Sequence, residues 1–167
     1  LRRAKSGYDA DGSETSLLLL GVPSDIGAGF TRGANHAPAE LRAYMLNEEP
    51  DHPLLGPLCI DVGDVRVVPQ LLSDDMLHIA QLSKTRAARY GDPTTNLPVG
   101  ALNICSYALD TLTQSSPSAV PIVLGGDHSI GWPAFSAAFE RWEKRRGVRL
   151  GLLHFDAHTD LLKDRLG

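Results

Sequence analysis

Leu17-Leu18-Leu19-Leu20-Gly21-Val22 is an unbroken apolar run closed by Pro23, with no helical periodicity. A run of this length suits a strand buried on both faces of a parallel sheet. Parallel neighbours cannot be joined by tight hairpins, so the chain must supply long crossovers, and it does. Leu58 to Val62 reads as a second short strand, Val120 to Leu124 as a third and Arg149 to Phe155 as a fourth. Between them, Pro38 opens a helix in Ala37-Pro38-Ala39-Glu40-Leu41-Arg42, where its missing N–H costs nothing. Ser73-Asp74-Asp75 predicts a helix start with a capping side chain and acids in the first turn, running to Tyr90-Gly91. Further helices are expected over Gly100 to Thr113 and over Pro133 to Arg146, where Phe135, Ala138, Phe139 and Trp142 recur at helical spacing. Strands alternating with helices imply an α/β layered fold.

The 167 residues, 43% hydrophobic and 22% charged, are enough for one domain with a real core, in which about 70% of the unfolded surface is buried. We read residues 1–167 as a single domain, the N-terminal part of a longer one. The net charge of −4 and the scatter of basic residues outside Arg141, Lys144, Arg145 and Arg146 argue against a nucleic-acid partner. No apolar stretch approaches the roughly 20 residues of a membrane helix, and no secretory signal is visible. Cys59 and Cys105 stand alone in apolar settings without CxxC spacing, which fits small core residues in a reducing compartment better than a disulfide or a zinc site.

Two clusters carry the chemistry, Gly125-Gly126-Asp127-His128-Ser129 and His154-Phe155-Asp156-Ala157-His158-Thr159-Asp160, each directly after a predicted strand. In parallel α/β sheets, loops at the C-terminal strand edge gather a site, and crossovers between neighbouring strands bring both clusters to that edge. Asp156, His158 and Asp160 are spaced at two, so a locally extended backbone projects all three to one side. Carboxylate oxygen with imidazole nitrogen suits Mn²⁺ or Zn²⁺, and the lack of thiolates argues against a closed structural zinc site. A cation would also relieve the repulsion between two carboxylates packed at one strand end. Taken singly, the first cluster could be a tight turn followed by a helix cap, and the second plain polarity at a strand end. The other histidines are weaker candidates: His36 in the glycine-rich loop, and His52 and His78 as solvated or packed side chains. His154 is as well suited to supporting a ligand as to a hydrogen-bonded place in the core.

GGDHS and HFDAHTD, with the early segment GVPSDIGAGFTRGANHAPAELR and the strand IDVGDV, resemble the ureohydrolases, the arginase and agmatinase family of dinuclear manganese hydrolases, over about residues 17–165. The resemblance implies a three-layer α/β/α fold of the arginase/deacetylase type with a mainly parallel sheet, incomplete at the C-terminus. It implies two Mn²⁺ ions with a hydroxide bridging them, attack on a guanidinium carbon, and release of urea and an amine. By similarity His128 ligates one ion, Asp156 bridges both, His158 ligates the second, and Asp160 ligates the first while holding the hydroxide as the catalytic residue. Asp127 would orient ligands, with Asp25 and Asp127 as reserve donors. A small guanidinium substrate and self-association follow from the same resemblance, while the reducing compartment read from the cysteines points to a cytoplasmic location.

The departures from the family pattern carry expectations of their own. Its later S-x-D-x-D-x-x-D-P segment, which supplies two more aspartate ligands, has no counterpart here, so this chain alone is expected to be inactive and to bind Mn²⁺ poorly. Arginases usually carry Asn where this chain has Leu162, and HFDAHTD is more like agmatinases, so agmatine or a guanidino acid is favoured over arginine. The alternatives are a ureohydrolase-like pseudoenzyme or regulatory subunit, and a zinc deacetylase-type amide hydrolase on the same fold.

Overall fold

The computed structural model describes residues 7–8 and 14–158, with side chains from residue 16 onward. The chain divides into two compact units, Leu1–Ala137 and Ala138–Gly167, each described here by itself.

In the larger unit, β1 (Leu17–Val22) is the centre of a three-stranded parallel sheet, flanked by β2 (Cys59–Asp64) and β3 (Val120–Gly125). Leu17 stands opposite Cys59 on one side and Val120 on the other, and the register with β2 shifts at Leu19/Leu20. The leucine run takes the middle because only a central strand is covered on both faces: Leu18, Leu19, Leu20 and Val22 are all buried. A small two-stranded antiparallel ladder, Gly7–Tyr8 with Glu14–Thr15, precedes it.

Helices cover both faces of the sheet. On one face Leu20 and Val22 pack with Cys105 and Leu109 of α3 (Ala101–Ser115) and with Ile130. Gly21, pointing the other way by the strand's period of two, meets Arg42 of α1 (Ala37–Glu48) on the opposite face. The expected α/β/α layering is therefore present in this unit. Burial pushes the Cys105 thiol up to about 12, and burial, with the Asp61 charge second, raises that of Cys59. Because the thiolate is the reactive form, Cys105 is expected to resist an alkylating reagent at neutral pH until the chain is unfolded. Labelling of Cys105 at the rate of a free thiol in native protein would contradict this burial.

α1 is tied to the sheet by charge as well as packing. The Arg42 guanidinium grips Asp61 through Nε (2.6 Å) and Nη2 (2.9 Å), and its Nη1 donates to Asp64. The hydrogen bond from Arg42 holds the Asp61 carboxyl below the usual carboxylate range. A carboxylate with a lowered folded pKa contributes stability that is present above its unfolded value and is lost as pH falls through the folded one. Acid unfolding of wild type should therefore be steepest below about pH 4, and Arg42→Ala should flatten it. Both acids are well exposed, so the loss at neutral pH is about 1 kcal/mol or less. An Arg42→Ala profile superimposable on wild type would remove the clasp from the folding energetics.

Two expectations require correction. Ser73 caps only a single turn, Asp74–Met76, and α2 (Ile79–Tyr90) starts afresh at His78. Asp74 is turned away to accept from Val99 N (3.0 Å) and Gly100 N (2.6 Å) at the start of α3, which interrupts the helix. His78 then forms a capping box with Gln81, and His52 likewise caps the turn Pro53–Leu55 through Nδ1, so both are local caps rather than merely solvated or packed rings.

The second correction concerns the smaller unit, where the expected fourth strand, Arg149 to Phe155, forms no ladder among the described residues. An apolar run says that a segment needs covering, but a strand exists only through its pairing partner, and none is present there. Leu152, Leu153 and Phe155 are accordingly exposed. The helix predicted from Pro133 to Arg146 is α4 (Gly131–Phe139), which passes into a π-helical turn, Glu140–Lys144. At that turn the guanidiniums of Arg141 and Arg146 lie 4.7 and 4.5 Å from the Trp142 ring centre.

Candidate metal centre

Both glycine-bearing motifs of the larger unit meet at the C-terminal edge of the sheet. β1 and β3 run parallel in register up to Val22 and Gly125, so the loops that leave them emerge side by side. They are stitched together through the backbone: Gly126 N donates to Val22 O (3.2 Å) and Asp127 N to Ser24 O (2.9 Å). A Cβ on Gly126 would lie 1.9 Å from Ser24 O, so the approach is closed to any side chain.

The loop after β1 is closed on itself. Asp25, buried, accepts from Gly33 N (2.7 Å) and from Arg32 Nη2 (2.6 Å), and the same Arg32 nitrogen reaches Pro69 O (3.2 Å). The Gly33 amide first, then Arg32, holds the Asp25 carboxyl below its ordinary range. Gly33 has φ 127°, which a side chain would strain. Asp25 is thus committed to its own loop and is no free donor. His36, at the far end, is exposed beside the start of α1 and makes no side-chain cap.

After β3, Asp127 is the cap of a short turn, His128–Ile130: its Oδ1 accepts from Ser129 N at 2.9 Å and from the Ser129 hydroxyl. Ile130 fixes the other end of the turn in the core. His128 is left exposed between these two anchors, at the sheet edge where the motif predicted a ligand. The turn-and-cap reading of GGDHS is therefore correct for Asp127, and it is the cap that presents His128.

In the smaller unit the histidines gather about Asp156. His158 Nδ1 lies 3.6 Å from Asp156 Oδ1, and His154 Nε2 lies 3.7 Å from Asp156 Oδ2, so each carboxylate oxygen has an imidazole beside it. Of the three residues spaced at two, Asp156 and His158 lie side by side, although not on an extended backbone. The chain bends at Ala157-His158, and His158 N donates to Asp156 Oδ1 at 2.8 Å, a local turn that an aspartate favours. His154 is partly exposed beside the carboxylate and is not a core histidine. Asp160 and Leu162 lie outside the described residues.

The donor set about Asp156 within the smaller unit fits a divalent cation of the Mn²⁺ or Zn²⁺ kind: carboxylate oxygen and imidazole nitrogen. Asp156, with two oxygens, is also the residue type able to join two ions. The parts that sequence reasoning missed are those that shape the two loops: Ser24, Gly27 and Gly126 at the loop crossing, and Arg32 locking Asp25. Their only trace in the sequence is the density of glycine in both motifs.

Comparison with known proteins gives the chain's family and fold. The model of the arginase family matches residues 15–166. Among curated relatives, a mitochondrial arginase 1 of Oryza sativa subsp. indica is 29% identical over 157 residues, covering 90% of this chain and 38% of its own length. The agmatinase of Bacillus subtilis is 25% identical, covering 92% and 43%. A formimidoylglutamase of Vibrio cholerae is 27% identical, covering 89% and 36%. The chain thus spans about two fifths of the length of the curated relatives it matches. A solved structure from Clostridium difficile, described as a candidate agmatinase, aligns with a TM-score of 0.61 at 23% identity over 90% of this chain and 44% of that one, and so shares its fold. Since the family match takes in GVPSDIGAGFTRGANHAPAELR, IDVGDV, GGDHS and HFDAHTD alike, this chain belongs to the arginase family.

Proposed function

We propose that this chain supplies the N-terminal ligands of a dinuclear manganese hydrolase that cleaves a guanidinium compound to urea and an amine. The observation that carries the reading is Asp156 with an imidazole against each carboxylate oxygen, in a chain of the arginase family. His128 from the loop after β3 and Asp156, His158 and Asp160 from the second cluster would hold the ions, with Asp160 also the catalytic residue; His154 would steady Asp156. Divalent ions held there would lower the pKa of bound water towards neutrality and so provide the nucleophile. Asp156 and Asp160 would balance the charge of the cations, and their carboxylates would attract the cationic guanidinium group. The same reading makes the whole protein a self-associating cytoplasmic enzyme with both cysteines free. No helix among the described residues is long and apolar enough to cross a membrane.

The substrate preference rests on Leu162. Where arginases usually place a polar Asn, a leucine offers the amino-acid end of arginine no hydrogen bond, so agmatine or a guanidino acid is the better partner. The test is urea release by Mn²⁺-loaded full-length protein from agmatine, 4-guanidinobutyrate and arginine, with metal content measured on the same samples. His158→Asn is expected to lower bound Mn²⁺ by about one ion per chain with the fold intact, because a neutral amide is a poorer ligand. Metal content unchanged in that variant removes His158 from the site. Arginine turned over faster than both other substrates refutes the Leu162 argument.

A further inference from the structure

Three features of the loop crossing bear on His128. First, one oxygen of Asp127 does all the capping, since Oδ1 takes both Ser129 N and the Ser129 hydroxyl. Second, the other oxygen, Oδ2, is buried with no hydrogen-bond partner among the described residues, as is the Ser24 hydroxyl across the crossing. A cap needed only to start a turn would leave its spare oxygen in water; drying it costs about 1–3 kcal/mol. Third, the dry side of Asp127 is closed by Gly27. A Cβ there would lie 3.0 Å from Ser129 Cβ and 3.2 and 3.3 Å from the two carboxylate oxygens. Gly27 is therefore a lid of bare backbone laid over the capping group, and the cost of burial secures a carboxylate with one available pose.

We infer that Gly27, from the loop after β1, acts on the metal centre by holding Asp127, and through it the turn that bears His128, in a single pose. The inference rests on the reading of His128 as a metal ligand. With Ile130 locked in the core at one end and Asp127 wedged at the other, the turn His128–Ile130 has no slack, so the Cα–Cβ bond that carries the imidazole keeps its direction. Ligand aim is what such supporting groups contribute, and their removal typically costs about 10–100-fold in metal affinity. The early glycine-rich motif thereby acts on the metal centre without offering a ligand to it.

The experiment is a calorimetric Mn²⁺ titration of the full-length protein and its variants, with circular dichroism to follow folding. Asp127→Ala, which removes the cap, should weaken Mn²⁺ binding by about 10–100-fold. Asp127→Asn, whose amide oxygen caps as well, should recover most of that loss. Gly27→Ala should weaken binding by at least about threefold with an unchanged spectrum, although no donor is altered; it also serves as the readout if Asp127→Ala fails to fold. In a His128→Asn background, both Asp127→Ala and Gly27→Ala should have almost no further effect, because what they aim is gone. Loss of affinity of the same size in that background would overturn the positioning role in favour of a general structural one. So would Asp127→Ala and Gly27→Ala binding as wild type while His128→Asn loses metal, an outcome that leaves the metal reading standing. If His128→Asn itself binds like wild type, the metal reading of His128 falls, and this inference with it.

Discussion

His128→Asn in the full-length protein is expected to cut urea release by more than about 100-fold and to remove one Mn²⁺ per chain, a larger effect than the 10–100-fold of a supporting residue. Imidazole nitrogen is a good donor to a borderline cation and a carboxamide is a poor one, so the substitution removes a bond rather than a shape. The fold should survive, because the ring is exposed while the turn that bears it is held by Asp127 and Ile130. Stability should therefore change by no more than about 0.5 kcal/mol, the ordinary range for surface substitutions. Metal analysis after gel filtration and a urea assay on the same preparation separate the two effects. Turnover close to wild type would remove His128 from the reaction, and with it the proposed joining of the two clusters into one centre.

What could be read from the sequence was whatever depends on a local pattern. β1, β2 and β3 follow from apolar runs with breakers behind them, and α1 and α3 begin within a residue or two of the expected places. Pairings over long separations could not be read. Nothing in the spacing says that Arg42 clasps Asp61 and Asp64, 19 and 22 residues away, or that Asp74 turns from its own helix to hold Val99 and Gly100, 25 and 26 residues away. Arg149 to Phe155 fails as a strand for the same reason: its residues carry the propensity, while the partner that would complete a ladder is a property of the rest of the fold. At the candidate site the division is similar. The spacing of two anticipated Asp156 and His158 side by side, with Asp160 outside the described residues, but the bend that brings His158 N onto Asp156 arises from an aspartate competing with the strand for a backbone N–H. Gly27 and Gly126 were illegible as parts of the loop crossing because a glycine's role depends on which atom stands where its Cβ would be.

The same criterion sets two neighbouring glycines of one motif region apart and predicts opposite signs for one substitution. A methyl at Gly126 would sit 1.9 Å from Ser24 O and 2.7 Å from Ser24 C, both backbone atoms of a loop that already hydrogen-bonds to Asp127. Backbone cannot swing aside as a side-chain end can, so the β1 and β3 loops must separate. Parting them breaks the Gly126–Val22 and Asp127–Ser24 bonds and uncovers Asp127. Gly126→Ala should therefore destabilise by about 3 kcal/mol, the upper part of the range for overpacking, and release bound Mn²⁺ as His128 loses its aim. A methyl at Gly131, five residues on, meets nothing within 4 Å, and Gly131 has helical φ −59° and ψ −36° at the start of α4. There alanine only reduces the entropy lost on folding, so Gly131→Ala should stabilise by about 0.5–1 kcal/mol and leave metal binding untouched. Urea-denaturation midpoints of the two variants against wild type, at equal m-value, decide the matter. If Gly126→Ala proves as stable as wild type, the loops are not in the contact that the sheet edge gives them, and the support argued for His128 fails at its first step.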